Sequence, residues 1–140
     1  MNTSEEYSGG CFCGQLRYRV EGPIDSVTHC HCAMCRRASG GTLMTWLTVP
    51  RARFAFTQGT PATFNSSDHG ARTFCTNCGT HIGFTSTHDP ASIDVTVVSL
   101  DHPEDCPPDR HIWTESRLPW LHIDGQLPAY EKWTPPEAER

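Results

Sequence analysis

Seven of the eight cysteines in this 140-residue chain fall into three tight groups, and that arrangement constrains the fold more than any other feature. The groups are Cys11-Phe12-Cys13, Cys30-His31-Cys32-Ala33-Met34-Cys35 and Cys75-Thr76-Asn77-Cys78. Cys106 stands alone. Cysteines one or two residues apart are badly placed to bridge each other, and seven leaves an odd thiol over, so a disulfide framework does not fit. Metal binding does: thiolates at such spacing reach a single tetrahedral Zn²⁺ with Zn–S distances of about 2.3 Å. Cys75-x-x-Cys78-Gly79 has the form of a zinc knuckle, with Gly79 free to take positive φ, and Cys13 is likewise followed by Gly14. One knuckle gives two ligands, and Cys11 with Cys13 can complete a closed four-thiolate site. Such a site ties residue 11 to residue 78 and constrains the unfolded chain.

The composition explains why a staple is needed. Leu, Ile, Val and Phe together number 24 of 140 residues, under the rough 20% associated with disorder, while the charge of −5 is too small to complete a disordered signature. One domain with a thin aliphatic core is expected. Eleven Lys and Arg against sixteen Asp and Glu leave little for a basic patch, which argues against a nucleic-acid binder. No apolar run is long enough for a membrane helix. The N-terminus carries no secretory pattern, which points to a cytoplasmic location, where disulfides are rare.

Period-two alternation predicts a strand at residues 15–20, and β-rich runs give further candidates at 42–49, 52–57, 61–65, 71–75, 81–86 and 93–98, broken by Gly, Pro, Asn and Asp clusters at all-β spacing. The run at 93–98 is the most apolar and reads as a central strand. A short helical turn is predicted at Ala33 to Ser39. After Leu100 the chain is Pro-rich and irregular, with Trp113, Trp120, Leu121 and Ile123 packing it back. The expected organisation is a flexible N-terminus at 1–8, one zinc-binding domain at 9–131 and a flexible tail at 132–140.

Cys30, Cys32 and Cys35 remain as a trio. Three protein ligands and an open position are the pattern of a catalytic zinc. Two alternatives stand beside it. One is a second structural site completed by His29 or His31, although an extended 29–32 segment turns those histidines to the opposite side from Cys30 and Cys32. The other pairs the first cysteine group with the middle one. Cys106, flanked by Asp105, reads as a bystander thiol.

The three groups in this order, Gly9-Gly10-Cys11-Phe12-Cys13-Gly14, His29-Cys30-His31-Cys32-Ala33-Met34-Cys35-Arg36 and Phe74-Cys75-Thr76-Asn77-Cys78-Gly79-Thr80, resemble the glutathione-dependent formaldehyde-activating enzyme family, also called the GFA or CENP-V family. His111-Ile112-Trp113-Thr114-Glu115-Ser116-Arg117 with Trp120, and Leu127-Pro128-Ala129-Tyr130-Glu131, resemble its closing segment. The resemblance implies an all-β fold of the β-tent type, antiparallel sheets stapled by a structural zinc at Cys11, Cys13, Cys75 and Cys78, with an irregular C-terminal tail. It implies a second, catalytic zinc at Cys30, Cys32 and Cys35. It also implies a carbon–sulfur lyase chemistry on a small thiol–aldehyde adduct such as S-hydroxymethylglutathione, formed from glutathione and formaldehyde. In that chemistry the zinc holds the substrate thiolate and polarises the aldehyde, and the partner is a small-molecule thiol or its adduct. Arg36, Arg37 and Arg117 are the expected clamps for a substrate carboxylate. A non-catalytic zinc-stabilised interaction module is the competing reading. A sulfoxide reductase, suggested by shared fold alone, would need Cys106 as its reactive thiol.

Overall fold

The structure, a computed structural model, describes residues 5–123 and 125–138. These residues form ten strands and one short α-helix with several 3₁₀ turns. The strands are β1 (Glu6–Gly10), β2 (Arg17–Glu21), β3 (Ser26–Cys30), β4 (Met44–Pro50), β5 (Phe54–Gln58), β6 (Ala62–Asn65), β7 (Gly70–Phe74), β8 (His81–Ser86), β9 (Asp89–Thr96) and β10 (Arg110–Ile112). The helix α1 (Ala33–Ser39) follows β3. It coincides with the turn read from the sequence and ends at Gly40, which caps it at φ 74°.

Two sheets result. The small one has the order β1-β2-β5 and the large one β10-β3-β4-β9-β8-β7-β6. All pairings are antiparallel except β10 with β3, which is parallel. The sheets are otherwise the antiparallel ones expected of the all-β class. The long excursion from β3 to residue 110 returns the chain to the sheet edge in the same direction, as a crossover connection can and a hairpin cannot.

The alternation in β2 buries Tyr18 and Val20 and leaves Arg17 and Arg19 partly exposed. Tyr18 and Val20 join Leu47, Val49, Ile82 and Val95 of the large sheet, and Val97 just beyond β9, in the main core between the two sheets. Strand β4 is buried on both faces: Leu47 and Val49 face this core, while Met44 and Trp46 belong to a second cluster with Cys30, Cys35 and Ile112. A run with both faces covered reads as continuous hydrophobicity, which is how residues 42–49 appear in the sequence.

Several expectations shift. Strand β1 begins at Glu6 and buries Tyr7, so residues 6–8 belong to the small sheet rather than to a flexible N-terminus. The central strand of the large sheet is β9, as the apolar run at 93–98 predicts. Strand β9 starts earlier than expected and stops at Thr96, where Thr96 Oγ1 and Ser99 Oγ interact at 2.7 Å and Val98 turns outward. In the C-terminal segment Trp113 packs against the second cluster as expected, but Trp120 is 65% exposed and Tyr130 takes its place. Trp113 N–H donates to the Lys132 carbonyl, and the Trp133 ring meets Trp113 at 5.6 Å. The chain therefore stays attached beyond residue 131.

Candidate metal centres and the adjoining cleft

Cys11 and Cys13 occupy the turn that joins β1 to β2, and Cys75 and Cys78 the turn that joins β7 to β8. Their four sulfurs lie within 4.8 Å of one another. The Cys11–Cys13 and Cys13–Cys75 Sγ separations are 3.5 and 3.7 Å. A tetrahedron with Zn–S bonds of about 2.3 Å has edges of about 3.8 Å, so the four fit a zinc ion. Backbone N–H groups already point at these sulfurs: Leu16 at Cys11 over 3.2 Å, and Asn77 and Cys78 at Cys75 over 3.4 and 3.5 Å. The turns that aim them require φ of +84° at Gly14 and +81° at Gly79, conformations open to glycine at little cost. A hydrogen bond with the Thr80 hydroxyl holds the Cys78 thiol down to about 5, near the thiolate form that a metal needs. The pairing of the first group with the third, rather than with the middle one, is what the geometry presents.

The middle trio assembles at the end of β3. Cys30 is its last residue, Cys32 is the N-cap of α1, and Cys35 lies in its first turn. The N-cap places Cys32 Sγ as acceptor for the Cys35 N–H at 3.3 Å. All three sulfurs lie within 4.8 Å of one another, and among the described residues no further Cys, His, Asp or Glu joins them within that distance. Three thiols so close cannot all ionise alone. Their hydrogen bonding pushes Cys32 down and Cys30 up. A dication is the group that lets all three carry charge, and the donor set suits zinc.

Strand parity sends the neighbouring histidines elsewhere. His29 Nδ1 meets Thr45 Oγ1 at 2.7 Å, and His31 Nε2 meets His111 Nδ1 at 3.0 Å. Burial, with His111 and His29 nearby, lowers His31 to about 4. Neither histidine acts as a fourth ligand here.

The two sites occupy opposite faces of the large sheet. Cys11 and Cys75 pack into the main core, and Cys30 and Cys35 into the second cluster. Beside the trio, between α1 and strands β6 to β8, lies a cleft of about 670 Å³, within the range of small-molecule sites. Met34, Arg37 and Ala38 line it from one face of α1, and Phe64, Arg72 and His81 from the strands.

Of the arginines expected at the substrate, only Arg37 lines this cleft. Arg36 is engaged internally, its Nη1 donating to the carbonyls of His31 (2.9 Å) and Ser116. Arg117 is exposed and not part of the lining. The sequence reading missed Arg72 and His81. Arg72 Nη2 lies 4.0 Å from Cys35 Sγ, and its guanidinium sits over the Phe84 ring at 4.9 Å. His81 packs edge-on against Trp46 at 5.2 Å. Burial first, and Arg72 second, lower His81 to about 4, so the ring is neutral at pH 7. The signal was present in the predicted strand at 71–75, where Arg72 shares the parity of Phe74. Cys106 is a free thiol buried in the main core, raised to about 11 by burial and then by Asp105, and belongs to neither cluster.

Comparison with known proteins bears on the same residues. The family model for glutathione-dependent formaldehyde-activating enzymes matches residues 6–116, which include all seven clustered cysteines. A Halomonas elongata protein provisionally named as such an enzyme is 24% identical over 127 residues, covering 84% of this chain and 81% of its own length. An uncharacterized lyase of Schizosaccharomyces pombe is 30% identical over 90 residues, 59% of this chain and 60% of its own. A Rhodobacter sphaeroides protein of known crystal structure shares the fold at a TM-score of 0.54 and 20% identity, over 87% of this chain and 98% of that one.

Proposed function

The chain belongs to the glutathione-dependent formaldehyde-activating enzyme family, and from that premise we propose that it is a zinc-dependent carbon–sulfur lyase-type enzyme acting on a small thiol–aldehyde adduct. The observation that carries this reading is the trio: three thiols converge within 4.8 Å with no fourth protein ligand among the described residues, beside a cleft of small-molecule size. In this reading Cys30, Cys32 and Cys35 hold the working zinc, and Cys11, Cys13, Cys75 and Cys78 hold a structural one.

A zinc ion at the trio would supply Lewis acidity and would favour the thiolate form of a substrate thiol. The protein's own residues do the rest. Met34, Phe64 and Phe74 wall the cleft with apolar surface and limit water around the reacting carbon. His81, neutral and facing the cleft, offers one N–H donor and one acceptor nitrogen to the adduct's hydroxyl. In the lyase direction the hydroxyl passes its proton to the acceptor nitrogen of His81, the carbonyl forms, and the carbon–sulfur bond breaks with its electron pair leaving on sulfur. Addition of thiol to aldehyde is the reverse. No electrons are gained or lost, so no redox partner is needed.

The test is metal coordination together with turnover. The purified protein should carry two zinc ions, and added thiol should enter the coordination sphere of one of them, seen by X-ray absorption or in a cobalt-substituted spectrum. Cys32→Ala should abolish turnover of a thiol and aldehyde panel. Two zinc ions that both keep four protein ligands in the presence of thiol would instead support a non-catalytic module.

A further inference from the structure

Arg72 is the most unusual charged group in the molecule. It is 6% exposed, and among the described residues no carboxylate pairs with it. A guanidinium carries five N–H donors. Here Nη2 faces Cys35 Sγ and the ring face of Phe84 covers the plane, but Nε and Nη1 have no partner. Burying a cation in this state costs several kcal/mol unless something else meets it.

Charge balance accounts for only part of this. Three thiolates around a dication leave one net negative charge, which Arg72 at 4.0 Å offsets. That explains the edge turned toward Cys35. It does not explain three N–H donors held without acceptors and buried just behind the lining of the cleft. Nearby His81 is equally unsatisfied: neither ring nitrogen has a hydrogen bond of ordinary geometry, although the Gly83 carbonyl lies close enough to favour its protonation slightly. The cleft thus holds buried donors that want an anionic oxygen, within reach of the trio.

We infer that Arg72, supported by His81, is a recognition site for a carboxylate carried by the substrate thiol, and that it selects short mercapto acids over neutral or cationic thiols of the same length. The inference rests on the functional reading above, in which a substrate thiol binds at the trio. Because Arg72 touches Cys35 itself, the favoured carboxylate stands only one or two methylenes from the sulfur. This site lies apart from Arg36 and Arg117, and it places specificity on β7 rather than on the arginines beside the cysteine motif.

The experiment uses the two-zinc protein and three small thiols: 3-mercaptopropionate, 2-mercaptoethanol and cysteamine. Affinity is read by calorimetry and by the spectrum of the cobalt-substituted protein, with metal content measured for every variant. The wild type should bind 3-mercaptopropionate about tenfold or more tighter than 2-mercaptoethanol, with cysteamine weakest, since a hydrogen-bonded charge pair is worth at least that factor. Arg72→Gln should erase the preference, bringing 3-mercaptopropionate to within about twofold of 2-mercaptoethanol, and Arg72→Lys should keep part of it.

A wild type with no preference among the three overturns the inference whatever the variants do. So does Arg72→Gln with two zinc ions and the preference intact. Should Arg72→Gln shed metal, the wild-type series and Arg72→Lys decide the matter. Failure of every thiol to bind would sink the functional reading itself, and the inference with it; binding without discrimination sinks the inference alone.

Discussion

Replacing Cys13 by Ser separates a metal staple from a surface cysteine. Cys13 is exposed, so without a metal its substitution belongs with surface changes worth within about 0.5 kcal/mol. In the structure its sulfur is 3.5 Å from that of Cys11 and 3.7 Å from that of Cys75, which is 62 positions away. A crosslink closing a loop of that size is worth about 4 kcal/mol in chain entropy. That is a large share of the roughly 5–15 kcal/mol that holds a typical domain. The crosslink also joins the β1–β2 turn of the small sheet to the β7–β8 turn of the large one, so its loss releases the two sheets that sandwich the main core. Cys32→Ser is the internal control: the trio spans Cys30 to Cys35, and closing so short a segment is worth only about 2 kcal/mol. Thermal melts followed by circular dichroism, with zinc measured in the same samples, should show Cys13→Ser lowering Tm by about 10–20 °C and Cys32→Ser by several degrees. Complete chelation should unfold the chain. Equal losses for the two variants, or a Cys13→Ser protein that has shed one zinc yet melts with the wild type, would refute the staple.

Asp94 on β9 accepts from the Thr48 hydroxyl at 2.6 Å, and burial raises its carboxyl to about 6, above the unfolded value of 3.8. A raised acid destabilises the fold above its folded pKa, and the cost disappears below the unfolded one, so Asp94→Asn should stabilise at pH 8 by on the order of 1–3 kcal/mol and by nothing at pH 3.5; denaturant titrations at the two pH values would show it, and a pH-independent effect would contradict the burial argument. Cys106→Ser should lower stability by about 1–3 kcal/mol, because it puts a hydroxyl among apolar neighbours, while zinc content stays at two and thiol–aldehyde turnover is unchanged. Lost turnover with both zinc ions retained would give Cys106 a role that its position denies it.

The parts of the fold legible in the sequence are those where burial writes a period. Strands β2 and β4 to β9 all fall on predicted segments, because each alternates or is rich in apolar and β-branched residues. The unread strands are short and chemically occupied. In β3, His29 and Cys30 carry site chemistry, and the segment reads as a ligand motif although it lies between β10 and β4. Strand β1 is Glu-Tyr-Ser-Gly-Gly. Its glycines look like a turn, yet Gly9 is small because a Cβ there would lie 2.4 Å from the Tyr18 hydroxyl. In β10, Arg110-His111-Ile112 has too few residues to show a period. The metal sites divide in the same way. The cysteines are local motifs and could be grouped from spacing, but the choice among pairings is a long-range fact, decided by which turns the two sheets bring together. Arg72 is long-range too. Its meaning depends on α1 bringing Cys35 to within 4.0 Å from 37 positions away.

The thin aliphatic supply takes on a different sense once the packing is known. Metal sites and core are not separate devices in this chain. Cys11, Cys75 and Cys106 are members of the main core, and Cys30 and Cys35 are members of the second cluster. Five of eight cysteines therefore do the work that leucine or valine does elsewhere, on the two faces of one sheet, to both of which β4 contributes side chains. A thiolate is a poor hydrophobe when free and an adequate one when a dication cancels its charge. Burial of Cys11, Cys75, Cys30 and Cys35 would then depend on metal, in a way that differs between the faces, whereas Cys106 is buried as a neutral thiol. With zinc at Cys11 and Cys75, four thiolates would close the shell, and loss of the metal would open the junction between the sheets. With zinc at Cys30 and Cys35, three thiolates would leave one negative charge, and Arg72 on β7 would supply the opposite one. The same cation would thus serve two ends: it would permit a charged metal site to be buried beside Trp46 and Phe84, and it would keep unpaired donors behind the cleft for a substrate's carboxylate.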